Sequence, residues 1–214
     1  MMVFSKEKLV FLAVPKTGST AYQAALADQA SLVVRDPPEL KHAPLFRYNR
    51  FFRPALERFI EPNLAILAVM REPADWLGSW YRYRSRADLR DTGLSTAGMS
   101  FEAFIDAYLS QPRPRYAQVG SQAKFLEPME NGTAVTHLFR YDDQAGLQAF
   151  LEARLGRDVH TQNHNVSPPG ETLLSPDLRK RLQDECAADF TLYDSILPKG
   201  SYTPIPRGTA QPHR

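Results

Sequence analysis

Residues 9–26 read LVFLAVPKTGSTAYQAAL, and the fold turns on how this stretch is parsed. Leu9 to Val14 is an unbroken apolar run, too short for a helix and far too short to span a membrane. Such a run reads as a strand buried on both faces. Pro15 ends its ladder, Lys16-Thr17-Gly18-Ser19-Thr20 forms a small polar turn, and Ala21 to Leu26 resumes with good helix formers. A strand, a small-residue loop and a helix N-terminus make an anion-binding geometry. Backbone N–H groups and the positive end of the helix dipole converge on one spot, and Lys16 adds a full charge there.

The nucleotide-binding P-loop fits this stretch poorly. That motif needs G-x-x-x-x-G-K-[ST], with Lys after the second glycine. Here Lys16 precedes Gly18, a second Gly is missing, and no clear magnesium-binding Asp follows.

A second stretch has the same layout. Asn63 to Met70 (NLAILAVM) reads as another buried strand and runs directly into REPADWLGSWY at 71–81. Pro73 suits the first turn of a helix, on which Trp76, Leu77, Trp80 and Tyr81 share a face. Arg71 sits at the strand's carboxyl end and Ser79 about two turns into the helix, which makes a second phosphate grip.

PKTGST at 15–20 and REPADWLGS at 71–79 together resemble the sulfotransferases that use 3′-phosphoadenosine 5′-phosphosulfate (PAPS), in residue type, spacing and order. The resemblance implies an α/β fold: a three-layer P-loop-like domain with a central parallel β-sheet flanked by helices. It implies that Lys16, Thr17, Gly18, Ser19 and Thr20 hold the 5′-phosphosulfate. It implies that Arg71 and Ser79 bind the 3′-phosphate. The family's catalytic base, a Glu or a His in different branches, follows the second strand. Here Ser31 to Val34 reads as that strand, and KHAPL at 41–45 looks like the His version. His42 is then the candidate base and Glu39 the reserve. The implied reaction is in-line transfer of the sulfuryl group from PAPS to a hydroxyl or amine of a glycan, lipid or small molecule, releasing 3′-phosphoadenosine 5′-phosphate (PAP). The competing readings are a P-loop-like small-molecule kinase and a non-catalytic module that kept the nucleotide pocket.

Composition bounds the rest. A chain of 214 residues with 43% hydrophobic content supports one sizeable core, read as a single domain over 1–197 with a Pro/Gly-rich tail over 198–214. A net charge of +2 gives no electrostatic case for nucleic acid. The single cysteine, Cys186, excludes an internal disulfide and fits a reducing compartment. The N-terminus lacks a signal-peptide layout and no run approaches a membrane helix, so the expectation is a cytoplasmic protein. His137, His160, His164 and His213 lack metal-ligand spacing, and no metal requirement is expected.

Further along, residues 46–60 are aromatic and arginine-rich and could pack on the sheet or line an acceptor cleft; they are expected mainly to pack, with a helix from about 53 to 60. The arginines of 82–90 do not share one helical face; one or two of them are candidates to reach an anion. Ser100 caps a helix over 101–109 with Phe101, Phe104, Ile105 and Tyr108 on its apolar face. Ala134 to Phe139 reads as a strand, followed by a helix carrying Leu147, Phe150, Leu151 and Leu155 and closed by Gly156. The strand–YDD–helix order, and Asn165-Val166-Ser167-Pro168 after it, also look like the family. Ser175 with Pro176 is expected to cap a last helix running to Tyr193, with Leu178, Leu182 and Cys186 facing the core.

Overall fold

The computed structural model describes residues 1–161 and 170–205. Asn165-Val166-Ser167-Pro168, His164 and His213 lie outside the described residues. In chain order, β1 (Met2–Phe4) and β2 (Leu9–Phe11) form a hairpin, followed by α1 (Ser19–Leu26), β3 (Leu32–Val33) and α2 (Pro38–Lys41). Next come α3 (Leu45–Arg47), a π-turn (Tyr48–Phe52) and α4 (Arg53–Phe59), then β4 (Ala65–Met70) and α5 (Pro73–Arg84). The remainder is α6 (Phe101–Leu109), α7 (Gln122–Phe125), β5 (His137–Arg140), α8 (Gln144–Leu155), α9 (Pro176–Glu185) and α10 (Ala187–Asp194).

The five strands make one open sheet in the order β3-β1-β2-β4-β5. Strands β2, β4 and β5 are parallel, with Val10 opposite Ile66 and Ala68 opposite Leu138. The sheet is mostly parallel, as expected; the exception is β1, which runs antiparallel to both β2 and β3. The sequence MMVFSKEK hid this strand because its apolar run is too short to signal one alone. The turn after Phe4 returns the chain onto itself, with Phe4 opposite Leu9.

Helices cover both faces of the sheet. Alternation along the strands divides the core. Val10, Leu12, Ile66, Ala68 and Leu138 face Leu45, Tyr48, Leu126 and Leu192 on one side. Leu9, Phe11, Leu67, Val69 and Phe139 face Tyr22, Leu26, Leu147 and Leu151 on the other. A third apolar cluster joins α5, α6 and α9 through Trp76, Leu77, Phe104, Tyr108 and Leu182.

The helix ends follow their local chemistry where the partners exist. The Ser100 side chain accepts from Ala103 N, and Gly156 ends α8 in the left-handed conformation. Two details differ from expectation. Ser175 makes no side-chain cap; its N–H donates instead to Glu102 at 2.8 Å. The last helix is also broken at Cys186, whose φ of −112° and ψ of 30° separate α9 from α10. Cys186 itself is buried in the α5–α6–α9 cluster, as its spacing implied.

Of the segment 198–214, residues 198–205 are described, and they pack on the sheet. The Tyr202 hydroxyl donates to the Val135 carbonyl at 2.7 Å, and Ile205 joins the core.

The fully buried Phe104 ring sits at the centre of the helical cluster. Phe104→Ala is expected to destabilise the protein by about 3–5 kcal/mol in denaturant titration, as for other buried Phe truncations.

Candidate anion-binding site

The loop after β2 begins as a continuation of the buried strand. Leu12, Ala13 and Val14 remain buried, and Leu12 N–H donates to the Leu67 carbonyl at 2.9 Å. The chain then reverses with two residues in the left-handed region, Lys16 at φ 66° and Gly18 at φ 75°. For Lys16 this conformation costs about 1–2 kcal/mol. Between them Thr17 is buried, and its hydroxyl donates to the Val14 carbonyl at 2.9 Å. At Gly18 space also matters: a Cβ there would lie 3.2 Å from the Tyr141 ring.

This geometry leaves donors free. Gly18 caps α1 with no side-chain hydrogen bond, and the N–H groups of Gly18, Ser19 and Thr20 meet no acceptor among the described residues. Ser19 is buried at the first turn of the helix.

The second motif packs directly on this loop. Trp76 Nε1 donates to the Pro15 carbonyl at 2.8 Å. Arg71 Nη1 approaches the Lys16 carbonyl at 3.5 Å. The other edge of the Arg71 guanidinium, Nε and Nη2, pairs with the Asp75 carboxylate, and its plane lies 4.4 Å from the Tyr141 ring centre. Gln122 holds the backbone of Arg71 from both sides, accepting from its N–H at 2.9 Å and donating to its carbonyl at 2.8 Å. Behind Gln122, the buried Asp189 carboxylate accepts from Ser121 Oγ and Ala123 N–H, each at 2.8 Å, and so fixes the start of α7. Ser79 is buried on α5, and its hydroxyl makes no hydrogen bond among the described residues.

The Lys16 ammonium makes no ion pair among the described residues. It rests on aromatic faces instead, 4.2 Å from the Tyr83 ring centre and 5.8 Å from that of Trp80. Burial pushes its pKa down from 10.5 to about 8, and the charges of Arg86, Arg71 and Arg82 add to the push. Arg86 lies over the other partner of this cage, 4.7 Å from the Tyr83 ring centre. Arg82 reaches Asp75 at 3.9 Å. The 82–90 arginines therefore divide. Arg82 and Arg86 lie within electrostatic range of Lys16, whereas Arg84 turns inward and donates to the Arg115 and Gln118 carbonyls. Trp80 adds a further unmet donor, since its buried indole N–H finds no acceptor among the described residues. Lys16, Arg71, Arg82 and Arg86 thus form one cationic cluster, in which the Asp75 carboxylate pairs with Arg71 and Arg82.

His42 is tied to the same strand end. Its Nδ1 lies 2.7 Å from the Ala13 carbonyl. A carbonyl only accepts, so Nδ1 carries the hydrogen and Nε2 keeps its lone pair in the neutral ring. Burial lowers the His42 pKa below 6.5, the hydrogen bond to Ala13 opposes this, and the charges of Lys41, the N-terminus and Lys16 reinforce it. Next to it, Lys41 Nζ donates to Thr20 Oγ1 at 3.2 Å. Glu39 is exposed on α2, and its backbone carbonyl accepts from Arg47 at 3.0 Å. His42 is thus held at the strand end from which the loop leaves, while Glu39 is exposed on α2.

Sequence reading missed Asp75, Gln122, Lys41 and the aromatic cage. Asp75 had a usable signal, because an Asp four residues after an Arg on one helix forms an ion pair. Lys41 adjoins the candidate base but points at a residue twenty-one positions away. Gln122 gave no signal, since its contact with Arg71 spans fifty-one residues. Among the described residues no group of three or more His, Cys, Asp and Glu side chains converges to hold a metal ion. Comparisons with protein-family models, with curated proteins and with solved structures found no match.

Sulfate keeps its charge across the working pH range and so isolates the titration of Lys16. Its affinity, read from Trp fluorescence, is expected to hold below pH 8 and to fall by up to tenfold per pH unit above the Lys16 pKa of about 8. In Lys16→Met the sulfate affinity should be weaker and flat over that range.

Proposed function

We propose that this protein is a sulfotransferase that takes the sulfuryl group from PAPS and passes it to an acceptor hydroxyl or amine. The observation that carries the reading is the meeting of the two motifs. Arg71 Nη1 faces the Lys16 carbonyl, and the Lys16 ammonium lies within the electrostatic reach of Arg71, Arg82 and Arg86. Unmet donors at Gly18, Ser19, Thr20 and Trp80 suit a polyanionic donor.

PAPS, when bound, supplies an activated sulfuryl group on a 5′-phosphate and a separate 3′-phosphate. In this reading the Gly18–Thr20 N–H groups and Lys16 hold the 5′ end, where charge develops as the sulfuryl group leaves. Lys16 exchanges its aromatic seat for that anion. Arg71, with its other edge held by Asp75, turns Nη1 toward the 3′-phosphate, and Ser79 offers its unused hydroxyl. Arg82 and Arg86 raise the local potential. His42 presents Nε2 to the acceptor hydroxyl and takes its proton, a role that a neutral imidazole fills at pH 7. Sulfuryl transfer, like phosphoryl transfer, then depends on positioning and charge stabilisation more than on covalent help from the protein.

The test is ligand-induced thermal stabilisation. PAP at one hundred times its Kd should add about 2.7 kcal/mol of stability. Arg71→Ala should weaken that binding by ~2 kcal/mol or more, as for a truncated charged hydrogen bond. Stabilisation by ATP with magnesium but not by PAP would overturn the assignment. His42→Ala should leave PAP binding intact and lower transfer by a hundredfold or more, within the range for general-base loss. The wild-type rate should rise with pH through an inflection below 6.5, the direction in which His42 is shifted, and that inflection should vanish in the variant.

A further inference from the structure

The helix that follows His42 has the wrong outer face for a helix meeting only water. From Leu45 to Phe59 the α3, π-turn and α4 segments run on as one rod. Its inner side carries Leu45, Tyr48, Phe52 and Leu56 into the core. Its outer side, at the complementary spacing, carries Phe46, Arg50, Phe51, Pro54, Ala55, Arg58 and Phe59, all exposed. The expectation that these aromatics pack inward therefore fails for three of them. Phe46 is 49% exposed, Phe51 61% and Phe59 86%. The period decides it: Phe46 and Phe51 fall out of phase with Leu45, Tyr48 and Phe52.

Solvent faces of surface helices are ordinarily charged and polar. This one has no carboxylate. The single acid within 46–59, Glu57, is turned away and pairs with Arg53 at 2.8 Å. Glu61 pairs with Lys8, and Glu39 lies on the neighbouring α2. Arg50 and Arg58 meet no carboxylate among the described residues, and Arg50 lies against Phe51 at 5.3 Å from its ring centre. Phenyl rings and unpaired arginines thus alternate along roughly 20 Å of helix.

We propose that this face docks on an anionic lipid bilayer. Arginines at the headgroup level meet phosphates while phenyl rings enter the acyl boundary, the arrangement of an interfacial amphipathic helix. Charge complementarity selects this occupant over a second copy of the chain. A two-fold contact sets the face against itself, and arginines without carboxylates then oppose arginines. The rod starts at Leu45, three residues after His42, so the docked face continues the segment that carries the candidate base. If the sulfotransferase reading holds, on which this last step rests, the acceptor is a hydroxyl on a lipid headgroup or on a membrane-anchored molecule.

Vesicle flotation of the full chain tests the docking without donor or acceptor, so its failure leaves the reaction untouched. Phosphatidylcholine vesicles are compared with phosphatidylcholine–phosphatidylglycerol vesicles at low and high salt. The wild type should float with the anionic vesicles alone and be released by salt. Phe51→Ser with Phe59→Ser, and separately Arg50→Gln with Arg58→Gln, should each reduce flotation tenfold or more at an unchanged thermal midpoint. Absence from both vesicle types would overturn the proposal, as would variants that float like wild type. A wild-type dimer that Phe51→Ser dissociates would assign the face to a second copy. Oligonucleotide binding lost with the arginines would assign it to nucleic acid; either result overturns the lipid assignment.

Discussion

The indole N–H of Trp76 on the Pro15 carbonyl joins two segments that are sixty-one residues apart. Around that bond the rest of the candidate site falls into place. It fixes where the loop leaves β2 and where α5 starts its run along the sheet edge. Arg71 at the foot of α5 then lies over Tyr141 and against the Lys16 carbonyl. Gln122 closes the clamp from α7, and the buried Asp189 holds α7 in turn. Each of these contacts satisfies a backbone or buried polar group that would otherwise cost about 1–3 kcal/mol. The site is therefore built from the same hydrogen bonds that let this irregular backbone be buried.

The electrostatics runs the other way. Lys16 holds its proton less tightly in the folded chain than in the unfolded chain, so its pKa falls from 10.5 to about 8. The unfolded state binds more protons between those values, and stability contributed by this group rises with pH across that window. Below it, the protonated Lys16 among Arg71, Arg82 and Arg86 works against folding. Aromatic faces reduce the penalty without cancelling the charge. A bound anion would cancel it.

How much of this was legible depended on range along the chain. Leu9–Val14 and Asn63–Met70 announced buried strands by unbroken apolar runs, and Pro73, Ser100 and Gly156 marked helix ends through local geometry. Phe101, Phe104, Ile105 and Tyr108 gave the inner face of α6 by period alone. Strand β1 escaped because three residues carry too little pattern, and its antiparallel insertion between β2 and β3 is a property of pairing rather than of residue type. The Lys16 loop and Arg71 were readable as separate anion sites, but their meeting depends on Trp76 and Gln122 crossing between elements. Phe46 and Phe51 were misread as packing residues because aromatic content was weighed without phase, and Phe59 because the π-turn over Tyr48–Phe52 shifts the register of the helix that ends on it.

Strand β3 has two residues and one neighbour, β1, through Met2–Val33 and Val3–Leu32. It is the edge of the sheet, and the segment bearing His42 follows it. Edges with few ladder bonds open locally at lower free energy than central strands. The phosphate-type loop, by contrast, springs from β2, flanked by β1 and β4. The Lys16 loop thus leaves the middle of the sheet, and the bond between His42 Nδ1 and the Ala13 carbonyl ties the segment after the edge strand back to that middle.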